Sequence, residues 1–231
     1  MTAERPRALV SWSSGKDSAW ALHETRRRGD LEVAGLLTTV TAGYARVSMH
    51  GVRQEILEAQ AERAGLPLVR VSIRPGATNA EYESAFLTAI AAARSEGIER
   101  IVFGDLFLED IREYRERLLR GTGVTPEFPL WGRDTTALAG EMLAGGVEAI
   151  VICVDPGRVP PGLAGLSFDE KLLASLPAGA DPCGENGEFH TCVLAGPMLA
   201  AHVPARRGLV VERDGFVFAD LILDESHAAS G

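Results

Sequence analysis

The sequence predicts an α/β fold, with a parallel sheet in its first half and a smaller α+β domain after it. Short apolar runs alternate with longer helical patterns through the first half of the 231 residues. Parallel strands need crossover helices of this length, and those helices then cover both faces of the sheet. In the second half this alternation stops, and strands follow a span rich in glycine and proline. The change in rhythm and the change in composition therefore predict two parts of different architecture.

Hydrophobic periodicity places the individual elements in order along the chain. In the first half it predicts strands at residues 7–12, 33–38, 68–73 and 100–104, and helices at 17–28, 50–64, 79–96 and 109–119. In the second half it predicts a helix at 134–145 and strands at 147–154, 189–195, 208–213 and 216–223. Asp214 and Gly215 are a turn signal between the last two strands. The glycines and prolines of 121–129 predict a domain boundary near residue 122, with domains at 1–122 and 123–231.

The composition excludes several classes of protein. The net charge of -9 argues against a broad nucleic-acid surface. No stretch approaches the ~20 uninterrupted apolar residues of a membrane span, and the first residues lack an apolar signal region. We therefore expect a cytoplasmic protein. The three cysteines, Cys153, Cys183 and Cys192, contain no C-x-x-C pair, so neither a disulfide framework nor a structural zinc site is expected.

A candidate phosphate loop follows the first predicted strand, with the sequence Ser13-Ser14-Gly15-Lys16-Asp17-Ser18. A strand, a turn of small residues and a helix in this order place backbone N–H groups and the positive end of a helix dipole at the carboxyl edge of the sheet. Lysine occurs at positions 16 and 171 alone, and all other basic residues are arginine, which singles out Lys16. We expect Lys16→Ala to abolish nucleotide binding or turnover with little change in melting temperature.

The residue after Lys16 indicates a metal ion. A Walker A loop carries a hydroxyl there to hold magnesium, but this chain has Asp17. A carboxylate among phosphates would repel them unless a divalent cation lies between, so Asp17 is the candidate ligand for Mg²⁺. The alternative is structural: Ser14 and Asp17 would form a capping box that opens an ordinary helix.

Two further stretches concentrate candidate functional groups. Gly104 and Asp105 come directly after the predicted fourth strand, where ligands of parallel sheets bind. On the helix after them we favour a solvated face with weak ion pairs for Arg115 and Arg117. Near the C-terminal end, residues 182–191 contain Glu185, Glu188 and His190. A glycine directly precedes each of the two glutamates, and the stretch then continues into the strand predicted at 189–195. This cluster could hold Mg²⁺, ammonium or a positively charged substrate, or be a polar turn, and the spacing does not choose among these.

Residues 13–18 resemble the S-G-G-x-D-S signature of the PP-loop ATP pyrophosphatases, the adenine nucleotide alpha hydrolase superfamily, with Ser14 where glycine is usual. The resemblance implies a five-stranded-type, Rossmann-like sheet of the HUP class, ATP and Mg²⁺ as cofactors, and cleavage of ATP between the α- and β-phosphates. It also implies that backbone groups of Leu37, Thr38 and Thr39 read the adenine edge. His50, just before a predicted helix, could face the phosphates.

Three short elements look like the diphthine ammonia ligase family within this superfamily: Gly104-Asp105, Pro129-Leu130-Trp131 and Gly187-Glu188-Phe189-His190-Thr191. Members amidate diphthine with ATP and ammonium and release AMP and pyrophosphate. Residues 106–112 are similar instead to a bacterial branch known only for ATP binding. Bacteria lack diphthamide, so a bacterial member would need another acceptor.

The resemblance implies an ATP-dependent amide ligase. A carboxylate-bearing acceptor would be adenylated, and ammonia or an amine would then displace AMP. The expected catalytic groups are Lys16, Asp105, Glu185, Glu188 and His190, the last three orienting the second substrate. A nucleotide-binding module without turnover and a tRNA-modifying PP-loop enzyme are the alternatives. Because members of the superfamily are often homodimers, the resemblance also implies a homodimer.

Overall fold

The structure is a computed structural model that describes residues 4–41, 46–47 and 52–224. Its strands are β1 (Arg7–Ser11), β2 (Glu32–Thr41), β3 (Arg46–Val47), β4 (Leu68–Ile73), β5 (Ile98–Val102), β6 (Thr125–Glu127), β7 (Glu148–Val154), β8 (Phe189–Ala195), β9 (Ala205–Arg213) and β10 (Phe216–Leu223). Its α-helices are α1 (Lys16–Arg28), α2 (Gln54–Ala64), α3 (Asn79–Ser95), α4 (Glu109–Leu119), α5 (Thr135–Ala144) and α6 (Glu170–Ser175).

The first sheet is parallel and has β1 at its centre. Its five parallel strands lie in the order β4-β2-β1-β5-β6, and the short β3 pairs antiparallel with β2. Val10 of β1 lies opposite Leu36 on one side and Val102 on the other, and all three are buried. The predicted α/β class with a five-stranded parallel sheet is confirmed. The loop after β1 consequently emerges at the middle of the sheet's carboxyl edge.

The second sheet is antiparallel, with the order β8-β7-β10-β9. It shares one hydrophobic core with one face of the first sheet, because Val10 and Trp12 belong to the same buried cluster as Val151 and Val193. A second cluster, with Phe86 and Ile101, fills the opposite face of the parallel sheet. The shared core brings β8 against the end of β1, where the candidate phosphate loop begins.

The local sequence explains where several helices begin and end. Thr78 and Glu81 form a capping box at the start of α3, and the Asp134 carboxylate caps α5 by accepting the N–H of Ala137 at 2.8 Å. Gly29 ends α1 in the left-handed conformation, with φ of 68°. In the described ranges, no helix combines the length and the apolar character needed to cross a bilayer.

Three of the elements named above were not predicted from the sequence. The two residues of β3 pair with Val40 and Thr41 of β2. The three residues of β6 lie in the stretch interpreted as a break, but they pair with β5 at the edge of the first sheet, where Pro126 is tolerated. Helix α6 has only six residues and follows the Gly- and Pro-rich span. The sheet thus continues to Glu127, past the proposed boundary near residue 122, and the division into two domains stays a prediction.

Candidate active site

The candidate phosphate loop turns at Ser14, which has a left-handed backbone with φ of 70°. The Ser14 carbonyl accepts the N–H of Val193 at 2.9 Å, and the Ser14 hydroxyl is buried without a hydrogen-bond partner in the part of the chain that the structure describes. Helix α1 then begins at Lys16, with Gly15 as its N-cap and no side-chain cap. The capping-box alternative between Ser14 and Asp17 is therefore wrong.

Several backbone N–H groups of the loop already have partners. The N–H of Lys16 donates to the Thr191 hydroxyl at 3.1 Å, and the N–H of Gly15 donates to the Ser13 hydroxyl at 3.4 Å. The N–H of Ser13 donates to the Ser18 hydroxyl at 3.3 Å. The loop is thus not a row of free donors, and an anion must replace hydroxyl partners to reach these three groups.

Gln60 of α2 anchors the loop to the core through hydrogen bonds. Its side-chain amide is fully buried and donates to the carbonyls of Ser14 at 3.2 Å and Val193 at 2.7 Å. Its Oε1 accepts the indole N–H of Trp12 at 3.0 Å. One side chain therefore ties the end of β1, the turn of the loop and β8 together, and a buried amide with these partners fixes their relative positions.

Lys16 is buried and binds both its sequence neighbour and a distant loop. Its ammonium donates to both oxygens of Asp17, at 2.9 and 2.8 Å, and to the carbonyl of Cys183. It also lies 5.3 Å from the ring centroid of Phe168 and 5.7 Å from that of Phe189. Burial opposes the charge of Lys16, but the Asp17 carboxylate holds the lysine pKa above its ordinary value. Burial in turn raises the pKa of Asp17, against the influence of Lys16.

The end of β5 lies against the first turn of α1. A Cβ at Gly104 would come within 2.8 Å of the Asp17 carbonyl carbon and 2.9 Å of the Ser18 nitrogen, so only glycine allows this approach. The next residue, Asp105, accepts from Nε of Arg115 at 3.4 Å. The structure therefore brings Asp105 beside the loop, and it places Arg115 in the site rather than on a solvated face.

The loop at residues 181–188 is organised by its own carboxylates. Glu188 accepts the N–H of Asp181 at 2.9 Å and the Asn186 amide at 3.1 Å, and its second oxygen is buried without a partner in the described ranges. The N–H of Glu185 donates to the Asp181 carboxylate at 2.8 Å. Gly184 has φ of 73°, and a Cβ there would lie 2.6 Å from the Phe189 carbonyl. Glu188 therefore stabilises the conformation of this loop through hydrogen bonds to Asp181 and Asn186.

Glu185 connects the loop at 181–188 to the segment after β5, and its pKa is raised. Its Oε1 accepts the N–H of Leu106 at 2.7 Å. Burial raises the pKa of Glu185 to about 7; the carboxylates of Asp17 and Asp105 add to the rise, and the Leu106 N–H opposes it. A carboxyl group with a pKa near neutrality can release and take up protons under physiological conditions.

These elements enclose a cavity of about 210 Å³. Of the described residues that line it, nine were predicted from the sequence: Ser13, Gly15, Lys16, Asp17, Ser18, Gly104, Asp105, Glu185 and His190. Seven were not: Ser11, Phe103, Arg115, Cys183, Gly184, Phe189 and Thr191. Ser14 and Glu188 lie behind this lining, and His50 falls outside the described residues. Sequence proximity could have suggested Cys183, Gly184, Phe189 and Thr191, because they flank predicted residues.

The residues expected to read adenine lie on β2, beside the cavity lining. The ladder between β1 and β2 stops where Ser11 lies opposite Leu37, whereas β2 continues to Thr41 along β4. The Leu37 carbonyl accepts the N–H of Trp12 at 2.7 Å. Thr38 is buried, and its hydroxyl has no partner in the described part of the chain. The backbone of β2 beyond Leu37 thus extends past the end of its neighbour, and the role of residues 37–39 stays a prediction.

Comparison of the sequence with known proteins identifies its family. Residues 6–126, just over half of the chain, match the family model described as the diphthamide synthase N-terminal domain. The chain belongs to the diphthamide synthase family. The region matched by the family model contains residues 13–18, Gly104, Asp105 and Arg115, whereas the loop at 181–188 and β8 lie outside that match.

Vertebrate relatives of this diphthamide synthase family member are named diphthine–ammonia ligase. The Bos taurus protein is 26% identical over 191 residues, which cover 76% of this chain and 70% of the relative. The Rattus norvegicus protein is 27% identical over 171 residues, covering 68% of this chain and 62% of the relative. The Danio rerio protein is 27% identical over 221 residues, covering 81% of both chains.

The three cysteines of this family member are buried free thiols. Burial raises the pKa of Cys153 to about 11, and it raises the pKa values of Cys183 and Cys192 to about 12. Cys183 lines the cavity but stays protonated near neutral pH, so it is a poor nucleophile. No disulfide or zinc site was expected from the sequence, and the thiols' burial gives them a packing role in the described structure.

Proposed function

We propose that this protein is an ATP-dependent ligase that cleaves ATP to AMP and pyrophosphate, adenylates a carboxylate and then forms an amide. The observation that carries the proposal is the convergence of three segments in one cavity: the Lys16 loop, Asp105 after β5, and Glu185 with His190. A cationic phosphate loop beside titratable carboxylates provides the groups that adenylation and amide formation need.

In this proposal the loop and Lys16 hold the phosphates of ATP. Residues 13–18 lie at the N-terminus of α1, where the helix dipole favours an anion. The Lys16 ammonium moves from Asp17 to the phosphates, because the phosphate chain carries more negative charge than the single Asp17 carboxylate. Gly104 allows the chain after β5 to approach the bound phosphates, and residues 37–39 at the open end of β2 bind adenine.

The donor set of the cavity fits Mg²⁺, which prefers carboxylate and phosphate oxygens and keeps several waters. Asp17 is the ligand that we propose, and it becomes available when Lys16 turns to the phosphates. In the described ranges no group of three or more His, Cys, Asp or Glu side chains is arranged to bind a metal. The phosphates must therefore supply much of the coordination, and the metal would neutralise charge on the leaving pyrophosphate.

The acidic side of the cavity serves the second substrate. With a pKa raised to about 7, Glu185 accepts a proton from ammonium or from a protonated amine. The neutral ammonia or amine then attacks the adenylate. His190 and Asp105, which line the same cavity, orient the acceptor and the amine. Glu188 acts through Asp181 and Asn186 by holding the loop in shape, so its contribution is positional.

The names of the relatives suggest the first substrates to test, diphthine as the acceptor and ammonia as the amine. Exchange of labelled pyrophosphate into ATP measures adenylation directly. A diphthine-bearing protein and a panel of small carboxylic acids are the acceptors, each with Mg²⁺ and ammonium. We expect exchange with one class of acceptor, and none with Lys16→Ala. Tight ATP binding without exchange for any acceptor would instead support a nucleotide-binding module without turnover.

The alternative of a sulfur-transferring tRNA enzyme has less support. Such chemistry needs a reactive thiolate, whereas burial keeps the thiols of Cys153, Cys183 and Cys192 protonated. Salt-sensitive binding of tRNA would favour that alternative. A homodimer and a cytoplasmic location stay predictions; sedimentation and fractionation measure them.

A further inference from the structure

Arg112 and Arg115 of α4 both stack on aromatic rings and pair with a carboxylate through Nε. Of these two, Arg115 lines the cavity, and its side chain is 23% exposed. The guanidinium carbon lies 4.7 Å from the ring centroid of Phe103, and Nε donates to the Asp105 carboxylate at 3.4 Å. Stacking on an aromatic ring and one anchored nitrogen hold a guanidinium plane in a fixed orientation.

The terminal amines of Arg115 are available for a ligand. Its hydrogen bonding to the described residues uses Nε alone, although an arginine carries five N–H donors in a planar fork. That fork binds phosphate or carboxylate oxygens through two parallel hydrogen bonds. An arginine that is anchored through Nε and stacked on one face presents its remaining donors with little loss of side-chain freedom.

The anchor of Arg115 lies beside the phosphate loop. Asp105 directly follows Gly104, and a Cβ at Gly104 would be 2.8 Å from the Asp17 carbonyl carbon. Among the described residues, the cavity lining holds the carboxylates of Asp17, Asp105 and Glu185 and two permanent cations, Lys16 and Arg115. Each cation is paired with a carboxylate next to it. A multiply charged anion that enters the cavity meets both.

We propose that Arg115 is a second phosphate-binding residue of the site, which contacts an oxygen of the ATP phosphate chain while Lys16 contacts another. The inference rests on the proposed function, because it assumes that ATP is the ligand. Nε of Arg115 keeps its hydrogen bond to the Asp105 carboxylate, and the two terminal amines of Arg115 donate to phosphate oxygens. The phosphate chain is thus held between a lysine of α1 and an arginine of α4.

Titration calorimetry with Mg-ATP tests the inference on the full chain. Charge-assisted hydrogen bonds of this kind predict that Arg115→Ala weakens ATP binding by about 10- to 100-fold. Arg115→Lys, which keeps the charge but loses the fork, should lie between Arg115→Ala and wild type. Arg117→Ala is the matched control: Arg117 is exposed, its guanidinium carbon lies 5.5 Å from the Tyr114 ring centroid, and it does not line the cavity. It should stay within about twofold of wild type.

Titrations with AMP and with pyrophosphate then locate the contact. A loss confined to AMP assigns Arg115 to the α-phosphate, and a loss confined to pyrophosphate assigns it to the outer phosphates. Circular dichroism melting curves confirm that each variant is folded. If folded Arg115→Ala binds ATP as tightly as Arg117→Ala does, the inference is overturned and the proposed function stands. If wild type binds no ATP, the proposed function falls and the inference with it.

Discussion

Replacing Lys16 by methionine removes one charge from a buried pair while keeping most of the side-chain volume. The Lys16 side chain is 2% exposed and that of Asp17 is 28% exposed. Breaking a buried ion pair typically costs about 3–5 kcal/mol, because the remaining charge loses its partner. Water reaches Asp17 in part, and the lysine's own desolvation is relieved, so we expect a loss of about 2–3 kcal/mol in the free energy of unfolding. The sequence alone predicts that replacing Lys16 would change the melting temperature little. Because Lys16 is buried and paired, we instead expect a measurable loss of stability.

Urea unfolding at pH 7 measures this loss, and Lys171→Met is the control. Lys171 is exposed on α6, so its replacement should change the free energy of unfolding by less than about 0.5 kcal/mol. Adding Asp17→Asn to Lys16→Met should recover about half of the loss, because it removes the unpaired carboxylate. Equal stabilities for Lys16→Met and Lys171→Met would refute the reasoning, as would a double variant weaker than Lys16→Met.

The remaining predictions concern pH, packing and backbone strain. Burial raises the pKa of Glu185 to about 7, above its unfolded value, so ionisation of this acid destabilises the fold as pH rises from about 4.5 to 7. Glu185→Gln keeps an acceptor for the Leu106 N–H, and it should be more stable than wild type above pH 7, equally stable below pH 4.5, and inactive; parallel stability curves for the two proteins would contradict this. Gly104→Ala should destabilise by about 1–3 kcal/mol in urea unfolding and weaken ATP binding, because the new methyl group meets the backbone of Asp17. The control Gly140→Ala, with no atom within 4 Å in α5, should stabilise by about 0.5–1 kcal/mol; a neutral Gly104→Ala would mean that the contact with α1 is loose. Ser14→Gly should raise the free energy of unfolding by about 1 kcal/mol, since glycine accepts the φ of 70° and the buried hydroxyl is removed; a melting temperature below that of wild type would show that the hydroxyl has a partner in solution.

The fold was predictable where its elements are long enough to show a hydrophobic period. Helices α1 and α3 and strands β4 and β8 match the predicted positions within one residue. The missed elements are short: β3 has two residues, β6 has three with a proline inside, and α6 has six. None is long enough to show a hydrophobic period, and β6 is a strand because it pairs with the edge of β5.

The residues that line the cavity were predictable where they lie in one short stretch, and not where they depend on distant contacts. The strand, glycine and lysine around residue 15 indicated a phosphate loop from local sequence. Arg115 looked like one more charge on an exposed helix, because helical spacing does not show that Asp105 and Phe103 lie beside it. Two partners of Lys16 are more remote still: Thr191, whose hydroxyl accepts the Lys16 N–H, is 175 residues away along the chain, and Cys183, whose carbonyl accepts from the ammonium, is 167 residues away.

The measurement that bears most directly on the central claim is the identity of the products formed from ATP. Phosphorus NMR can follow Mg-ATP with ammonium and the acceptor panel, with Lys16→Met as the control for contaminating enzymes. The account predicts that ATP consumed by this site gives AMP and pyrophosphate in equal amounts, and that Lys16→Met forms neither. ADP and orthophosphate, produced by the wild type and absent with Lys16→Met, would contradict it.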